Sequence, residues 1–420
     1  MSAPPGRLLP DSRNGLVGLA EGQLWRVTPN ATPPGRLSVS IPGRIESIAW
    51  PTSASSHSRV FDELIVGLDR QNGTGLYRVE VASGRMMAIE PPAARPVVAD
   101  YHPAHRVAAL TAKDHSGTYL WLSSPGLNGF TTVVETNVFL REVAEASTMR
   151  VQYRGLDGRE LTAWLLLPFG YQDGTRYPTI TSVYAGSMAG GQPPVQTNST
   201  GPLNLQLLAA HGYAVLIPSM PLEPVGEASD PYLDLTKGVL PAVDKAIDLG
   251  IADPKRLGII GHSYGGYSTY GLITQTSRFQ AAVSLAGLSD LVSFYGQFDP
   301  RLRYEAAPHH VPFQMSQAES GQLRMGGPPW EDAGRFVRNS PLTYVDRVTT
   351  PLMIIQGDQD FVPMAQGEMF FSALNRQQKR ATMVRYWGEG HLVESPANIL
   401  DMWARIFDWF DEFLQPEAAR

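Results

Sequence analysis

Leu257-Gly258-Ile259-Ile260-Gly261-His262-Ser263-Tyr264-Gly265-Gly266 takes a short apolar run straight into a G-x-S-x-G pattern. Leu257 to Ile260 have the length and composition of a strand buried on both faces. Beyond them Tyr267, Tyr270, Leu272 and Ile273 recur near helical spacing. The stretch therefore predicts a strand, a sharp turn and a helix, with Ser263 on the bend. A serine so placed stands above the sheet edge, where its hydroxyl can meet a base and a substrate. Gly261 and Gly265 leave room where strand and helix pack too closely for a side chain, and the strained serine needs that room. The competing reading is a glycine-rich turn carrying an inert serine, and only partners elsewhere in the chain decide between the two.

Two later strand ends supply such partners. Gly357-Asp358-Gln359-Asp360 follows the apolar run Leu352 to Ile355, and Gly388-Glu389-Gly390-His391 follows Met383 to Trp387. The chain order Ser263, Asp360, His391 is the one expected when a nucleophile elbow sits on an α/β sheet. A serine hydroxyl is a poor nucleophile at neutral pH. It needs an imidazole to take its proton, and the imidazole needs a carboxylate to fix its tautomer and favour its charged form. His391 and Asp360 are the candidates for those roles. Taken singly, His391 also reads as a loop histidine satisfied by backbone, and Asp360 as the cap of a helix beginning near Pro363. Asp358 is the nearest rival for the carboxylate, and His262 is expected to pack beneath the turn in a structural role.

The chain around these motifs alternates strands with helices from about Met149 onward. Arg150 to Tyr153 and Glu160 to Leu167, joined across Gly155-Leu156-Asp157-Gly158, predict a hairpin with Asp-Gly in its turn. Thr179 to Tyr184 reads as a buried strand, Leu203 to His211 as a helix stopped by Gly212, and Tyr213 to Pro218 as the next strand. Val239, Val243, Ala246 and Ile247 mark a helix face ended by Gly250, after which Asp253-Pro254 turns the chain into the strand before Ser263. Ala281 to Leu285 adds another strand. In the last helix Ser395 is the expected cap, Pro396 fits the first turn, and Ile399, Met402, Trp403, Ile406, Phe410 and Phe413 line one face. This alternation predicts an α/β fold for residues 146–420: a doubly wound, mainly parallel sheet covered on both faces, with ligands at the carboxyl ends of its strands.

Residues 1–145 follow a different grammar, short β-branched and aromatic runs cut by Gly, Pro, Asn and Ser, which predicts an all-β unit. Leu24-Trp25-Arg26-Val27 returns as Leu76-Tyr77-Arg78-Val79, and Ile48-Ala49-Trp50-Pro51 returns loosely as Asp100-Tyr101-His102-Pro103, shifted by 52 residues in each case. A closer third copy starts at Thr118-Tyr119-Leu120-Trp121-Leu122. Equal shifts of two separate motifs suggest repeats about the size of a propeller blade, with coincidence among similar strands as the alternative. About three blades fit, too few to close a ring, so the expectation is a partial β-propeller, either a remnant or a fragment of a longer reading frame.

Composition narrows the function. The chain has 420 residues, 43% of them hydrophobic, enough for two domains with sizeable cores. Thirty-four basic against 40 acidic residues, a net charge of −6, leave no stripe for phosphate backbones or anionic lipid, so neither nucleic acid nor a membrane is an expected partner. With no cysteine, disulfides, thiolate chemistry and cysteine-ligated metals are excluded, and the nine histidines show no H-E-x-x-H spacing. No metal or cofactor is expected. The longest apolar stretch, around Leu161 to Phe169, is too short to span a bilayer, and Met1 to Gly15 lacks the order of a secretion signal, which makes the cytoplasm the default compartment.

Gly261-His262-Ser263-Tyr264-Gly265-Gly266-Tyr267, Gly357-x-x-Asp360 with Val362-Pro363 after it, and Gly390-His391 resemble the catalytic domain of the prolyl oligopeptidase family of serine peptidases. The resemblance covers roughly Met149 to Leu414 and includes Ser340 to Val348 leading into Thr350-Pro351-Leu352. It implies peptide substrates and an α/β-hydrolase domain under a seven-bladed propeller. Val183-Tyr184-Ala185-Gly186 is similar to the family's Val-Tyr-x-Gly segment, which implies that the Tyr184 hydroxyl and the Tyr264 N–H form the oxyanion hole. Without that likeness Tyr184 reads as a core tyrosine. The chain departs from the family's proline-specific members at Leu288-Ser289-Asp290-Leu291-Val292-Ser293-Phe294-Tyr295, where their tryptophan is missing. Strict proline cleavage is therefore in doubt, and an apolar pocket using Tyr264, Leu291, Phe294 and Val362 is expected instead. Tyr184 to Met188, Gly357 to Phe361 and Tyr386 to Gly390 also look like the subgroup that opens the isopeptide ring of lasso peptides. A carboxylesterase would share every triad residue and differ only in the pocket. A non-catalytic interaction module is the remaining alternative, and nothing in the sequence sets the oligomeric state.

Overall fold

The computed structural model describes residues 9–11, 15–20, 22–28, 35–37, 45–49, 63–70, 73–93, 96–102, 105–114, 116–186, 204–224, 226–299 and 313–415. The chain divides into two compact units, Met1–Ala144 and Glu145–Arg420.

In the first unit the described residues form three four-stranded antiparallel sheets, each a meander in chain order. The first holds β1 (Leu9–Pro10), β2 (Leu16–Ala20), β3 (Gln23–Val27) and β4 (Gly35–Arg36). The second holds β5 (Ile45–Ala49), β6 (Glu63–Arg70), β7 (Gly73–Glu80) and β8 (Met86–Ile89). The third holds β9 (Val97–His102), β10 (Val107–Asp114), β11 (Gly117–Ser123) and β12 (Phe130–Thr136). The repeated Leu24-to-Val27 and Leu76-to-Val79 motifs occupy the third strands β3 and β7, and Thr118 to Leu122 occupies the third strand β11. Ile48-Ala49 and Asp100-Tyr101-His102 lie on the first strands β5 and β9, while Trp50, Pro51 and Pro103 lie outside the described residues.

Because successive side chains of a strand point to opposite faces, the middle sheet can feed two cores. Val66 and Val79 pack with Val17 and Leu24 of the first sheet, while Ile65, Leu76 and Ile89 pack with Tyr101, Leu110 and Trp121 of the third. The sheets thus stack face to face in series, the way propeller blades bury their faces.

The second unit is built on an eight-stranded mixed sheet. Its strands are β13 (Thr148–Arg154), β14 (Glu160–Leu166), β15 (Tyr177–Ser182), β16 (Ala214–Ile217), β17 (Ala252–His262), β18 (Ala281–Leu285), β19 (Leu352–Gly357) and β20 (Ala381–Tyr386). The order across the sheet is β13-β14-β16-β15-β17-β18-β19-β20, antiparallel through the first three strands and parallel from β16 to β20. The β13–β14 turn closes with Gly155 N donating to Arg159 O (2.9 Å), and Gly158 takes the φ of 83° that the predicted Asp-Gly turn requires. β17 begins at Ala252 rather than Leu257 and runs through Asp253-Pro254. Ala252 pairs with Tyr177, and an irregularity in register then brings Leu257 opposite Thr179.

Eight helices of the unit are named by range: α1 (Leu205–Ala210), α2 (Pro231–Asp248), α3 (Tyr264–Gln275), α4 (Leu291–Gly296), α5 (Phe313–Glu319), α6 (Ala333–Arg338), α7 (Ala365–Arg376) and α8 (Pro396–Leu414). Alternation along the central strands assigns each residue to a layer. Ile259, Ala282, Leu352 and Ile354 join the core with α2, α3 and α7, whereas Ile260, Val283, Met353 and Ile355 join the core with α1 and α8. Both faces of the sheet are therefore dry, as the runs of consecutive apolar residues in the sequence require. No helix among the described residues is long and apolar enough to cross a membrane.

The stripe on α8 packs as its spacing predicts, with Met402, Trp403, Ile406 and Phe410 buried and Ile399 and Phe413 partly so. Its cap differs from expectation. The Ser395 side chain makes no capping bond, and the Glu389 carboxylate accepts from the N–H groups of Glu394 (2.8 Å) and Ser395 (3.2 Å) instead. A carboxylate from another loop thus takes the place of the local hydroxyl at the helix's positive end.

Phe410 is fully buried, and a Cβ on Gly258 would come within 2.9 Å of its ring, so the site is closely packed. Phe410→Ala is expected to lower the unit's unfolding free energy by about 3–5 kcal/mol in urea titrations. Leu400→Ala on the same helix, at a residue 74% exposed, is expected to change it by less than about 0.5 kcal/mol.

Candidate active site

The bend after β17 is made by steric necessity. A Cβ on Gly261 would lie 2.1 Å from the carbonyl oxygen of Gly265, and one on Gly265 would lie 2.1 Å from that of Val183. With no side chain at either position, the chain turns from strand to helix within a single residue. That residue is Ser263, with φ 61° and ψ −120°. Its N–H donates to Leu285 O (2.9 Å) and its carbonyl accepts from Tyr267 N (3.0 Å), so backbone bonds on both sides hold the strained conformation. The Tyr264 N–H stands in the first turn of α3, where no helical carbonyl can accept it.

Asp360 and His391 come together across the ends of β19 and β20. Asp360 is 1% exposed, and its Oδ1 lies 2.8 Å from His391 Nδ1. The same oxygen accepts from Val362 N (2.8 Å), which fixes the carboxylate within its own turn rather than at a helix start. Asp358, the rival carboxylate, serves other groups: it accepts from Gly388 N and from Gln359 Nε2 (2.7 Å). The three turns holding Ser263, Asp360 and His391 follow the carboxyl ends of parallel strands in one sheet. The Ser263 hydroxyl makes no hydrogen bond within the described residues.

His262 sits under this arrangement. It is 6% exposed, its Nε2 lies 2.6 Å from the His391 carbonyl oxygen, and the two rings are 4.5 Å apart. Because the acceptor is a carbonyl, Nε2 carries the proton. Burial, reinforced by the neighbouring His391, pushes the His262 pKa down to about 4 against the bond to the His391 carbonyl, so the ring stays neutral near pH 7.

Two further residues, which the spacing of motifs did not single out, shape the histidine loop. The Phe361 ring lies 4.1 Å from that of His391, tilted by 35°. Glu389 is 3% exposed and, besides its bonds to Glu394 and Ser395, accepts from Asn398 Nδ2 (2.6 Å). Burial alone would raise its carboxyl, but these donors hold it below the ordinary glutamate range. Its bonds join the two ends of the loop that carries His391. A charged residue wedged between two glycines, beside a helix start, was the available signal.

Tyr184 is 38% exposed, and its hydroxyl accepts from Gln322 Nε2 (3.1 Å). Its ring meets that of Tyr264 edge-on at 6.3 Å. Leu291, Phe294 and Val362 are buried in the core, and Tyr264, also buried, lines a small cavity with Met220, Leu222, Glu223 and Asp234. A larger cavity of about 550 Å³ lies between α7 and the 3-10 segment Pro341–Arg347 and includes none of these residues. Ser187 and Met188 lie outside the described residues. Among the described residues no group of His, Asp and Glu is arranged to hold a metal ion.

Residues 234–417 match the prolyl oligopeptidase family. An uncharacterised peptidase of Bacillus subtilis, YuxL, is 31% identical over 293 residues, which are 66% of this chain and 40% of that protein. The lasso peptide isopeptidase AtxE2 of Asticcacaulis excentricus is 28% identical over 287 residues, 64% of this chain and 38% of that protein. A puromycin-hydrolysing peptidase of Mycobacterium tuberculosis has the same fold, with a TM-score of 0.68 at 19% identity over 98% of this chain and 62% of that one. The chain spans about two fifths of the length of these curated relatives.

Since the folded pKa of His262 lies below its unfolded value of 6.5, its contribution to stability is complete above pH 6.5 and is lost as pH falls toward 4. Over that window the loss amounts to as much as about 3 kcal/mol. Urea denaturation of the wild type and of His262→Gln, which keeps an N–H donor, should show the difference between them shrinking from about pH 7 to about pH 4.5. A constant difference across that range would exclude the buried neutral histidine.

Proposed function

We propose that this chain, whose residues 234–417 match the prolyl oligopeptidase family, is a serine peptidase of that family that cleaves peptide bonds through an acyl-enzyme. Ser263 is the nucleophile, His391 the general base and acid, and Asp360 the carboxylate that orients His391. The observation that carries the reading is the 2.8 Å bond from buried Asp360 to His391 Nδ1, which leaves Nε2 as the nitrogen free to serve a hydroxyl.

In the first half-reaction Ser263 Oγ attacks the scissile carbonyl carbon while His391 Nε2 takes the hydroxyl proton. The carbonyl oxygen becomes an oxyanion, held by the Tyr264 N–H and the Tyr184 hydroxyl. The C–N bond then breaks as His391 returns its proton to the departing amine. A water repeats the sequence on the ester, giving up a proton to His391 and releasing the acid and Ser263. Each oxyanion donor is worth some 3 kcal/mol in comparable sites. Desolvation of the buried Asp360 carboxylate is offset as His391 becomes positively charged, the moment at which the pair is needed.

The missing tryptophan in the 288–295 stretch supports a relaxed proline preference. A second reading rests on the likeness to AtxE2: Tyr184-Ala185-Gly186, Gly357 to Phe361 and Tyr386 to Gly390 suit an isopeptidase that opens the macrolactam ring of a lasso peptide. The chemistry at Ser263 is the same in both, since each cleaves an amide.

A panel of amino-acyl and peptidyl amides, short p-nitrophenyl esters and a threaded lasso peptide separates these activities. Amide hydrolysis supports a peptidase, ring opening confined to the lasso peptide supports the isopeptidase, and turnover of esters alone would overturn both. Ser263→Ala should abolish labelling by a fluorophosphonate and lower kcat by several orders of magnitude, as should His391→Ala, with thermal unfolding unchanged. Asp360→Asn should lower kcat by about 10⁴-fold through the wrong histidine tautomer. Asp358→Asn should cost far less, and the reverse ranking would reassign the carboxylate.

A further inference from the structure

A phenol has one proton to donate, and its direction depends on what else touches the oxygen. At Tyr184 the touching group is the side-chain amide of Gln322, with Nε2 3.1 Å from the hydroxyl oxygen. An amide N–H occupies a lone pair of that oxygen and leaves the phenolic proton unspent. A carbonyl or carboxylate in the same place would take the proton.

Gln322 is held on a turn that its own neighbours make rigid. On either side of it Gly321 N donates to Ser316 O (2.8 Å) and Leu323 N to Gln317 O (3.1 Å), while Met325 N donates to Ala318 O (2.8 Å). Leu323 and Met325 are buried, 2% and 3% exposed. Arg324, in the left-handed region at φ 53°, anchors the outer side by donating from Nε to Glu223 O (3.1 Å) and from Nη1 to Ser320 O (2.9 Å). The turn thus presents the Gln322 amide from a fixed base to Tyr184, which is 38% exposed and meets the Tyr264 ring edge-on.

We propose that Gln322 is a positioning residue for the oxyanion hole: its amide fixes the Tyr184 hydroxyl as a donor toward the substrate carbonyl. The proposal rests on the reading of Tyr184 as an oxyanion donor. Gln322 touches no reacting atom and acts only through the tyrosine. Loss of its N–H lets the phenol rotate, and replacing it with an acceptor turns the proton away from the substrate.

The test compares Gln322→Leu, Gln322→Glu, Tyr184→Phe and the double variant Gln322→Glu with Tyr184→Phe in the full chain. The readout is the second-order rate of labelling by a fluorophosphonate, whose phosphoryl oxygen occupies the oxyanion site, together with kcat and KM on a peptidyl p-nitroanilide. Tyr184→Phe and Gln322→Glu are each expected to slow labelling and kcat by about 100-fold with KM little changed, and the double variant should match either single one. Gln322→Leu, which removes the donor without adding an acceptor, should fall between them and the wild type.

Protonation restores a donor to the glutamate. The activity of Gln322→Glu relative to the wild type should therefore rise as pH falls from about 8 to about 5, which a defect in folding would not produce. Should Gln322→Glu label like the wild type while Tyr184→Phe is slow, the positioning role is wrong and the oxyanion reading stands. Should Gln322→Glu and Gln322→Leu be equally slow, with effects that multiply those of Tyr184→Phe, the glutamine supports only the turn. Normal labelling of Tyr184→Phe would remove both the donor and the role built on it.

Discussion

The approach of two backbone carbonyls to two glycines sets the geometry on which this molecule depends. With 2.1 Å between each would-be Cβ and the facing oxygen, no other residue fits at position 261 or 265 without moving strand or helix. The close fit lets β17 pass into α3 through one residue and forces that residue, Ser263, to a φ of 61°. Such a conformation costs on the order of 1–3 kcal/mol, and the bonds to Leu285 O and Tyr267 N help to offset it. What the fold gains is a hydroxyl held proud of the sheet, with the head of a helix at its side. The other candidate groups are arranged around that point, each at the end of a neighbouring strand or the loop after it.

The histidines next to and facing the serine divide two tasks by their surroundings. His262 is enclosed, kept neutral, and commits its Nε2 proton to the carbonyl of His391. His391 is partly open and has a buried carboxylate on its Nδ1. One ring thus fixes the backbone of the other, while Asp360 fixes its side chain. Glu389 completes the support from below by tying the loop's two ends to α8. All three constraints act on a loop that would otherwise be free to move after the last strand, which is why so much polar structure is buried beside a single imidazole.

The first unit solves a different problem. A four-stranded sheet cannot cover both its faces alone, and here each sheet uses its neighbour: the middle one divides its alternate side chains between two cores. Such stacking can be continued by adding sheets, and relatives matched by this chain are more than twice as long as the part it matches.

The sequence by itself determined the layers and singled out the candidate serine and histidine. The largely apolar runs at Leu257 to Ile260 and Ala281 to Leu285 suit a strand dry on both faces, and glycines on either side of Ser263 have a narrow range of use. Those signals are local, carried by neighbours in the chain. Which carboxylate meets the histidine was not local: Asp358 and Asp360 are two residues apart, and only the turn that bonds Val362 N points one toward His391 and leaves the other to Gly388. The cap of α8 came from Glu389 rather than Ser395, and the partner of Tyr184 came from a turn 138 residues away. The burial of Leu291, Phe294 and Val362 likewise depends on what distant segments pack against them. Contacts between residues distant in sequence leave no periodic trace, and for them only the folded chain decides.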